Sequence, residues 1–334
     1  MIKPNKFFPK KIIWKNESND INKIKKDIIN YDKFKNISEL KHYFYEKQIP
    51  KVSIIITLYN QIKFIPKIYA CIQDQSFLEL EIIFIDDNSK DNPLRLIKKL
   101  MEKDKRIIFI KNSINKGQFY TRNKAVLFSK GEFILIIDPD DFLLNNIIIK
   151  SYMTSKYYNL DIVNYHHMVG NITNNTFFKK KNISGIFFQP EIKNIFFVYQ
   201  DRYLWDKLIK RKIFIKSIYF MKDNFRKERF SIHNDDTACF GLFRIANSYG
   251  FLEQIGYFYN RGNENSTHKQ NYLPKNINER YRSLFSIMKY YYEQTDNNTY
   301  EKIMGGYNFY KLRFTYRYKS KINFLTKDFD YRNT

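Results

Sequence analysis

Three carboxylates in four residues, Asp138-Pro139-Asp140-Asp141, follow the apolar run Phe133 to Ile137 (FILII). Carboxylates this close repel one another unless positive charge neutralises them. A hard divalent cation that also grips phosphate oxygens would do so, as in Mg²⁺ sites built from one or two carboxylates plus substrate phosphates. The alternative is a polar loop in which one Asp caps a helix beginning near Phe142. A second pair, Asp86-Asp87, with Asn88-Ser89 behind it, ends the run Glu81 to Ile85 (EIIFI). One of its carboxylates can accept hydrogen bonds from a base N–H or a ribose hydroxyl. Capping is again the alternative, with Asp91 or Ser89 serving a helix that Pro93 opens. A third run, Val52 to Thr57 (VSIIIT), leads into Leu58-Tyr59-Asn60. There Tyr59 can stack on a base while Thr57 and Asn60 hydrogen-bond, or Tyr59 simply packs. Together the three places outline a site for a nucleoside diphosphate with its base, ribose and metal-bound pyrophosphate. A further pair, Asp235-Asp236, read alone, is an acidic helix start favoured by the macrodipole.

Short β-branched runs separated by helix-length segments signal a parallel βαβ sheet. Such sheets bind ligands outside the carboxyl ends of their strands, where these polar residues collect. The segment Ile62 to Gln75 carries an apolar helical stripe, and Pro93 to Met101 repeats it. Arg106 to Lys111 reads as a strand. Gly117 to Lys130 reads as a loop entering a helix that Gly131 ends in a C′ position. With right-handed crossovers this order gives a Rossmann-like, mostly parallel sheet flanked by helices, an α/β fold. The second half predicts a strand at Asp161 to Tyr165, a hairpin or loop over Phe177 to Phe188, and a helix from Ile192 to Phe214 containing Trp205. Beyond lie a helix at Asp235 to Ala246, an aromatic strand at Tyr257 to Asn260 and a polar loop from Arg261 to His268. The expected organisation is a polar arm at 1–50 with a short helix near Ile37 to Tyr45, two halves of one domain at 51–150 and 151–270, and a basic-aromatic helical region at 271–334.

Composition narrows the function. With 43% apolar residues over 334 positions, a sizeable core is possible. The formal charge of +24 raises nucleic acid or an anionic membrane as partners. The basic residues are dispersed, however, and Lys, Asn, Ile, Tyr and Phe are abundant together while Gly, Pro and Ala are scarce. That joint bias points to an AT-rich coding sequence, so no specific nucleic-acid partner is expected. Cys71 and Cys239 give no disulfide framework. The N-terminus has no apolar signal region, and no run of ~18 apolar residues predicts a spanning helix. The expectation is a cytoplasmic protein, at most peripheral on a membrane through basic and aromatic residues around Tyr307 to Lys321. No phosphate-loop or dinucleotide fingerprint is present, nor any His or Cys spacing for structural zinc.

The segments VSIIITLYN, IIFIDDNSKDN and NKGQFYTRNKAVLFSKGEFILIIDPDDFL resemble the nucleotide-sugar-binding half of the inverting family 2 glycosyltransferases, which have the GT-A fold. The resemblance is dense from Lys51 to about Leu144. It implies that Thr57 and Tyr59, with Asn60 beside them, line the base pocket and that Asp87 reads the base with Asp86 as its neighbour. It implies that Asp138 and Asp140 are the two acids of a D-x-D motif, the first near the ribose and the second on a divalent metal, Mn²⁺ or Mg²⁺. Gly117, Arg122 and Asn123 match the G-x-x-x-x-R-N element beside the donor. Leu204-Trp205-Asp206-Lys207-Leu208 resembles a W-N-K-L segment, with Asp206 where Asn is usual and Trp205 as an acceptor-side wall or a packing residue. Asp235-Asp236 with Phe240 resembles the E-D-x-x-F motif, with Asp236 as catalytic base and Asp235 where Glu is usual. Tyr257 to Arg261, with Ser266-Thr267-His268, resembles a Y-x-Y-R…S-x-T loop, in which Arg261 or His268 could reach the leaving diphosphate. The absent Q-x-x-R-W element argues against a processive synthase. The implied activity is inverting, metal-dependent transfer of one sugar from a nucleotide-sugar co-substrate, with UDP foremost, to a glycan, lipid or protein hydroxyl. The rivals are an inactive relative that only binds nucleotide-sugar or glycan, for which the substituted Asp235 and Asp206 leave room, and a nucleic-acid binder.

Overall fold

The computed structural model describes residues 50–144, 146–171, 176–179, 185–189, 192, 201–221 and 234–263. All of them belong to one compact unit, Met1–Leu284, and the second unit, Phe285–Thr334, lies outside them. The expected arm, its short helix and the C-terminal helical region also fall outside the described residues.

The first half alternates strands and helices as its apolar runs dictate. The strands are β1 (Val52–Leu58), β2 (Leu80–Asp86), β3 (Ile107–Lys111) and β4 (Phe133–Ile137). Between them lie α1 (Ile65–Gln73, entered through a 3₁₀ turn at Ile62–Phe64), α2 (Leu94–Lys103) and α3 (Gln118–Phe128). Every residue of β1, β2 and β4 is buried, as strands covered on both faces require. Ile54, Ile56, Phe84 and Leu135 face a core shared with Ile68 and Ile72 of α1 and Ile97 of α2. The opposite alternation, Ile55, Ile83, Ile85 and Ile136, is equally buried, and α3 packs on β1 and β2.

The second half supplies β5 (Phe142–Leu143), α4 (Ile147–Tyr158), β6 (Ile162–Asn171), β7 (Thr176–Lys179), β8 (Gly185–Phe188), β9 (Lys207–Lys210), α5 (Arg211–Phe220), α6 (Asn234–Ile245) and β10 (Ser248–Asn260). One sheet runs β3-β2-β1-β4-β9-β6-β10-β5, with β7 beside β6 and β8 beside β10. Its β3-β2-β1-β4 block is parallel, β9 lies antiparallel between β4 and β6, and β10 returns parallel to β6. The chain order reverses at β1 and β4, so the crevice at their carboxyl ends is where an open α/β sheet takes its ligand. Among the described residues, no helix is long and apolar enough to cross a membrane.

Four local expectations change. Gly131 does not end α3: the helix stops at Phe128, with Ser129 extended. Gly131 instead passes so close to β1 that a Cβ there would lie 2.5 Å from Ser53 Oγ and 2.6 Å from Ser53 N. Trp205 is not in a helix, because Lys207–Lys210 is pulled into the sheet between β4 and β6 and the helix starts only at Arg211. Phe142 starts no helix but pairs with Phe258 in a short strand. The region Phe177 to Phe188 is not a hairpin, since β7 and β8 pair with different strands.

Candidate active site

The loops after β1 and β2 are built as one unit. Asn60 adopts φ 55° and Asn88 φ 62°, left-handed turns that Asn tolerates better than most side chains. The Asn60 amide donates to Ser89 Oγ at 3.0 Å, Lys90 N–H donates to Asn60 Oδ1 at 2.8 Å, and Ile62 N–H donates to Asp91 Oδ2 at 2.8 Å. Asp91 and Ser89 therefore brace the neighbouring loop, and α2 has no side-chain cap. Thr57 is buried, whereas Tyr59 is 46% exposed at the mouth of the crevice.

Asp86 and Asp87 are both turned inward. Asp86 is fully buried, accepts the Ser89 amide at 2.9 Å and lies 3.8 Å from the Lys111 ammonium. Asp87 accepts from Asn112 Nδ2 and Lys116 N–H through Oδ1 and from Gly117 N–H through Oδ2, each at 2.8 Å. Its carboxylate thus fixes the loop that opens α3, where Gly117 takes φ 85°. Asn112 also donates to Thr121 Oγ1 and accepts from Lys124 Nζ, a supporting role with no sequence signal beyond its place after β3.

The three acids after β4 separate into different surroundings. Asp141 is buried, accepting the Tyr257 hydroxyl at 2.8 Å and the Asn260 amide at 2.8 Å. Tyr257 in turn accepts the Asp138 amide at 3.1 Å. Asp140 accepts the Asn263 side-chain amide at 2.7 Å, and Asn260 Nδ2 donates to its carbonyl at 3.2 Å. The end of β10 therefore braces the acidic turn, and Asn263 is a contributor that sequence reasoning did not single out. Burial pushes the Asp141 carboxyl well up, with the Asp138 and Asp140 charges adding to it. Asp138 is pushed up to about 7: burial leads, Arg122 opposes it, and Asp235 and Asp140 reinforce it.

Arg122, buried on α3, joins this turn to α6. One nitrogen, Nη1, lies 2.6 Å from Asp235 Oδ1, and Nη2 lies 3.7 Å from Asp138 Oδ1. Burial works against its charge, but Asp235 and Asp138 outweigh it and hold the guanidinium protonated. Gln118 donates to Asp138 Oδ1 at 3.1 Å, and Asn234 Nδ2 reaches Gln118 Oε1 at 3.5 Å. Asn123 is buried beside Arg122, and its amide meets no hydrogen-bond partner among the described residues. Asp236 lies with its Oδ1 3.9 Å from Arg202 Nε, and Asp235 Oδ2 accepts the Leu204 amide at 3.4 Å. Arg261 is exposed, donates its backbone amide to Gly170 at 2.8 Å, and shows no ion pair with the acidic group among the described residues. Ser266, Thr267 and His268 lie outside the described residues.

The loop carrying Arg202 and Leu204 rests on a buried polar network. Lys207 Nζ donates to Asp201 Oδ1 and Asp206 Oδ1 at 2.7 Å each and to the Tyr203 carbonyl at 2.5 Å. Asp206 also lies 3.0 Å from His167 Nδ1 and accepts from Asn164 Nδ2 at 3.0 Å. Burial would raise the Asp206 carboxyl, but Lys207 and His167 overcome it and hold the group below the ordinary range. Asp206 is thereby accommodated as a buried, paired charge.

A parallel β3-β2-β1-β4 block with carboxylates and the exposed Tyr59 at its switch point defines an α/β protein of GT-A type. The family model described as Glycosyl transferase family 2 matches residues 53–250, more than half of the chain, and the chain belongs to that family. Among curated relatives, the Escherichia coli UDP-Glc:alpha-D-GlcNAc-diphosphoundecaprenol beta-1,3-glucosyltransferase WfgD is 30% identical over 178 residues, 48% of this chain and 70% of that protein. The Campylobacter jejuni GalNAc(5)-diNAcBac-PP-undecaprenol beta-1,3-glucosyltransferase is 34% identical over 101 residues, 30% of this chain and 33% of that one. A glycosyltransferase of Methanocaldococcus jannaschii is 38% identical over 101 residues, 35% of its length. The chain thus spans about a third of several relatives it matches. The crystal structure of S. aureus TarS 1-349 in complex with UDP-GlcNAc shares the fold, with a TM-score of 0.61 at 19% identity over 82% of this chain and 76% of that one.

Proposed function

We propose that this chain transfers one sugar from a nucleotide-sugar, a UDP-sugar foremost, to an acceptor hydroxyl with inversion at the anomeric carbon. The observation that carries this reading is the Arg122 link, which holds Asp138, on the proposed donor side, against Asp235 beside Asp236. In this reading residues 51–150 hold the donor and residues 151–270 the acceptor. Asp236 takes the proton of the acceptor hydroxyl as its oxygen attacks the anomeric carbon and the bond to the diphosphate breaks. Asp235, tied to Arg122, keeps the first turn of α6 in place. Tyr59 offers a face for the base, with Thr57 and Asn60 beside it, while Asp87 shapes the loop through Gly117.

The acidic turn fits a divalent cation. Asp138 and Asp140 crowd one strand end together with Asp141 and Asp235, and the Asp138 carboxyl is raised first by its burial and then by the Asp235 and Asp140 charges, against the pull of Arg122. Among the described residues no group of three or more His, Cys, Asp or Glu is placed to hold an ion, so diphosphate oxygens would complete its shell. Asp138 and Asp140 would hold Mn²⁺ or Mg²⁺, which when bound supplies neutralisation of the charge on the leaving diphosphate.

The names of the two relatives acting on diphosphoundecaprenol support a lipid-linked glycan as acceptor, and hence peripheral contact with a membrane. The decisive assay incubates the protein with Mn²⁺ and a panel of nucleotide-sugars and measures free nucleotide. Release from one donor, lost with EDTA, is expected. No release from any donor, with or without acceptors, would leave a binding-only protein.

A further inference from the structure

Asp140 is gripped at two points by the turn that follows β10. Its carboxylate Oδ2 accepts from Asn263 Nδ2 at 2.7 Å, and its main-chain carbonyl accepts from Asn260 Nδ2 at 3.2 Å. Asn263 is 5% exposed although it carries an amide, so its bond to Asp140 is a buried one and not a passing surface contact. That bond joins residues 123 apart in sequence.

The turn that carries Asn263 is itself anchored. The Asn260 amide donates to Asp141 Oδ1 at 2.8 Å, and Gly262 N–H donates to Asn260 Oδ1 at 2.9 Å. Arg261 N–H donates to the Gly170 carbonyl, near the end of β6, at 2.8 Å. A donor fixed at so many points sets the orientation of the carboxylate it meets. Because Asn263 occupies Oδ2, a cation held by Asp140 would take Oδ1.

We infer that Asn263 is the positioning residue of the metal site, fixing Asp140 so that Oδ1 meets a divalent cation. The inference rests on the metal-dependent transferase reading above. Carboxylates that bind metals are oriented by outer hydrogen-bond partners, and loss of such a partner costs about 10–100-fold in metal affinity. One effect opposes this. An N–H donor draws negative charge from the carboxylate, so its removal strengthens the attraction of Asp140 for a cation. A neutral amide withdraws only part of a charge, whereas an unheld carboxylate must be ordered each time an ion binds. Ordering wins, and removal of the donor weakens the site.

The test uses the full chain with UDP and counts bound Mn²⁺ from the loss of the free-ion electron paramagnetic resonance signal, against a protein-free UDP blank. Asn263→Ala should raise the half-saturating Mn²⁺ concentration roughly ten- to hundredfold. The same shift should appear in the Mn²⁺ needed for nucleotide release from the donor that the wild type consumes, with kcat at saturating Mn²⁺ near wild type. Asn263→Leu, which fills the volume without a donor, should behave as Asn263→Ala and serves if the alanine variant folds poorly. Arg106→Lys is the control for stability alone, since it weakens a buried ion pair with Asp104 just before β3, at the amino ends of the strands. It should lower the melting temperature and leave the half-saturating Mn²⁺ unchanged. Asn263 variants that bind Mn²⁺ as the wild type does, or more tightly, overturn the positioning role. So does an equal shift in Arg106→Lys, or a kcat that stays low at saturating Mn²⁺. A wild type that binds no Mn²⁺ beyond the blank overturns the metal site itself, and the role of Asn263 with it.

Discussion

The Arg122 guanidinium lies 2.6 Å from the Asp235 carboxylate, binding α3 to α6 across 113 residues of sequence. The same guanidinium faces Asp138 at 3.7 Å, so the turn after β4 and the start of α6 share one buried positive charge. Through it, the proposed donor turn and the proposed catalytic pair are bridged by a single side chain.

Removing that charge should be costly. Arg122→Met leaves Asp235 and Asp138 facing each other without compensation, and the loss should be about 3 kcal/mol in urea denaturation. Arg122→Lys should recover only part of it, because one ammonium cannot replace two guanidinium nitrogens aimed at two carboxylates. Wild-type stability in Arg122→Met would mean that the link is incidental.

Metal and nucleotide should stabilise the fold together. UDP with Mn²⁺ is expected to raise the melting temperature by linkage, and EDTA to remove the rise. Asp140→Asn should abolish the metal-dependent part. Asp141→Asn should instead lower the baseline and keep the shift, because Asp141 is spent on Tyr257 and Asn260. Loss of the shift in Asp141→Asn alone would reverse these roles.

The raised Asp138 carboxyl makes a signed prediction for the metal-free protein. Its ordinary value is 3.8 and its folded value about 7, so the folded state holds this proton more tightly. That contribution is fully present below the lower value and is lost as the pH rises to the higher one. The melting temperature of the wild type, relative to Asp138→Asn, should fall between about pH 4 and pH 7 and then level off. A difference that does not change with pH would show that burial does not disfavour the Asp138 charge.

Much of this architecture was legible in the chain. β-Branched runs with acidic ends placed β1, β2 and β4 and the crevice, because a strand buried on both faces must be apolar throughout. Asp235 to Ala246 was readable as a helix and nearly matches the observed α6, Asn234–Ile245. What escaped was set by contacts distant in sequence. The residues Lys207 to Lys210 look helical next to Ile213 and Phe214, yet pairing with β4 and β6 pulls them into the sheet. The inward turn of Asp87 depends on Asn112 and the 116–117 amides, and the support of Asp140 on Asn263. A lone Asn in a chain rich in Asn carries no signal of such a role, and Gly131 looked like a helix stop because its close approach to Ser53 spans 78 residues.

The most direct test of the catalytic assignment compares Asp236→Asn with Asp235→Asn in sugar transfer and in nucleotide-sugar binding. Asp236→Asn should bind the donor nearly as well as the wild type while transfer falls by roughly 10²–10⁴-fold, as for a lost acid–base group. Asp235→Asn should cost less. Normal transfer by Asp236→Asn, with Asp235→Asn inactive, would contradict the account.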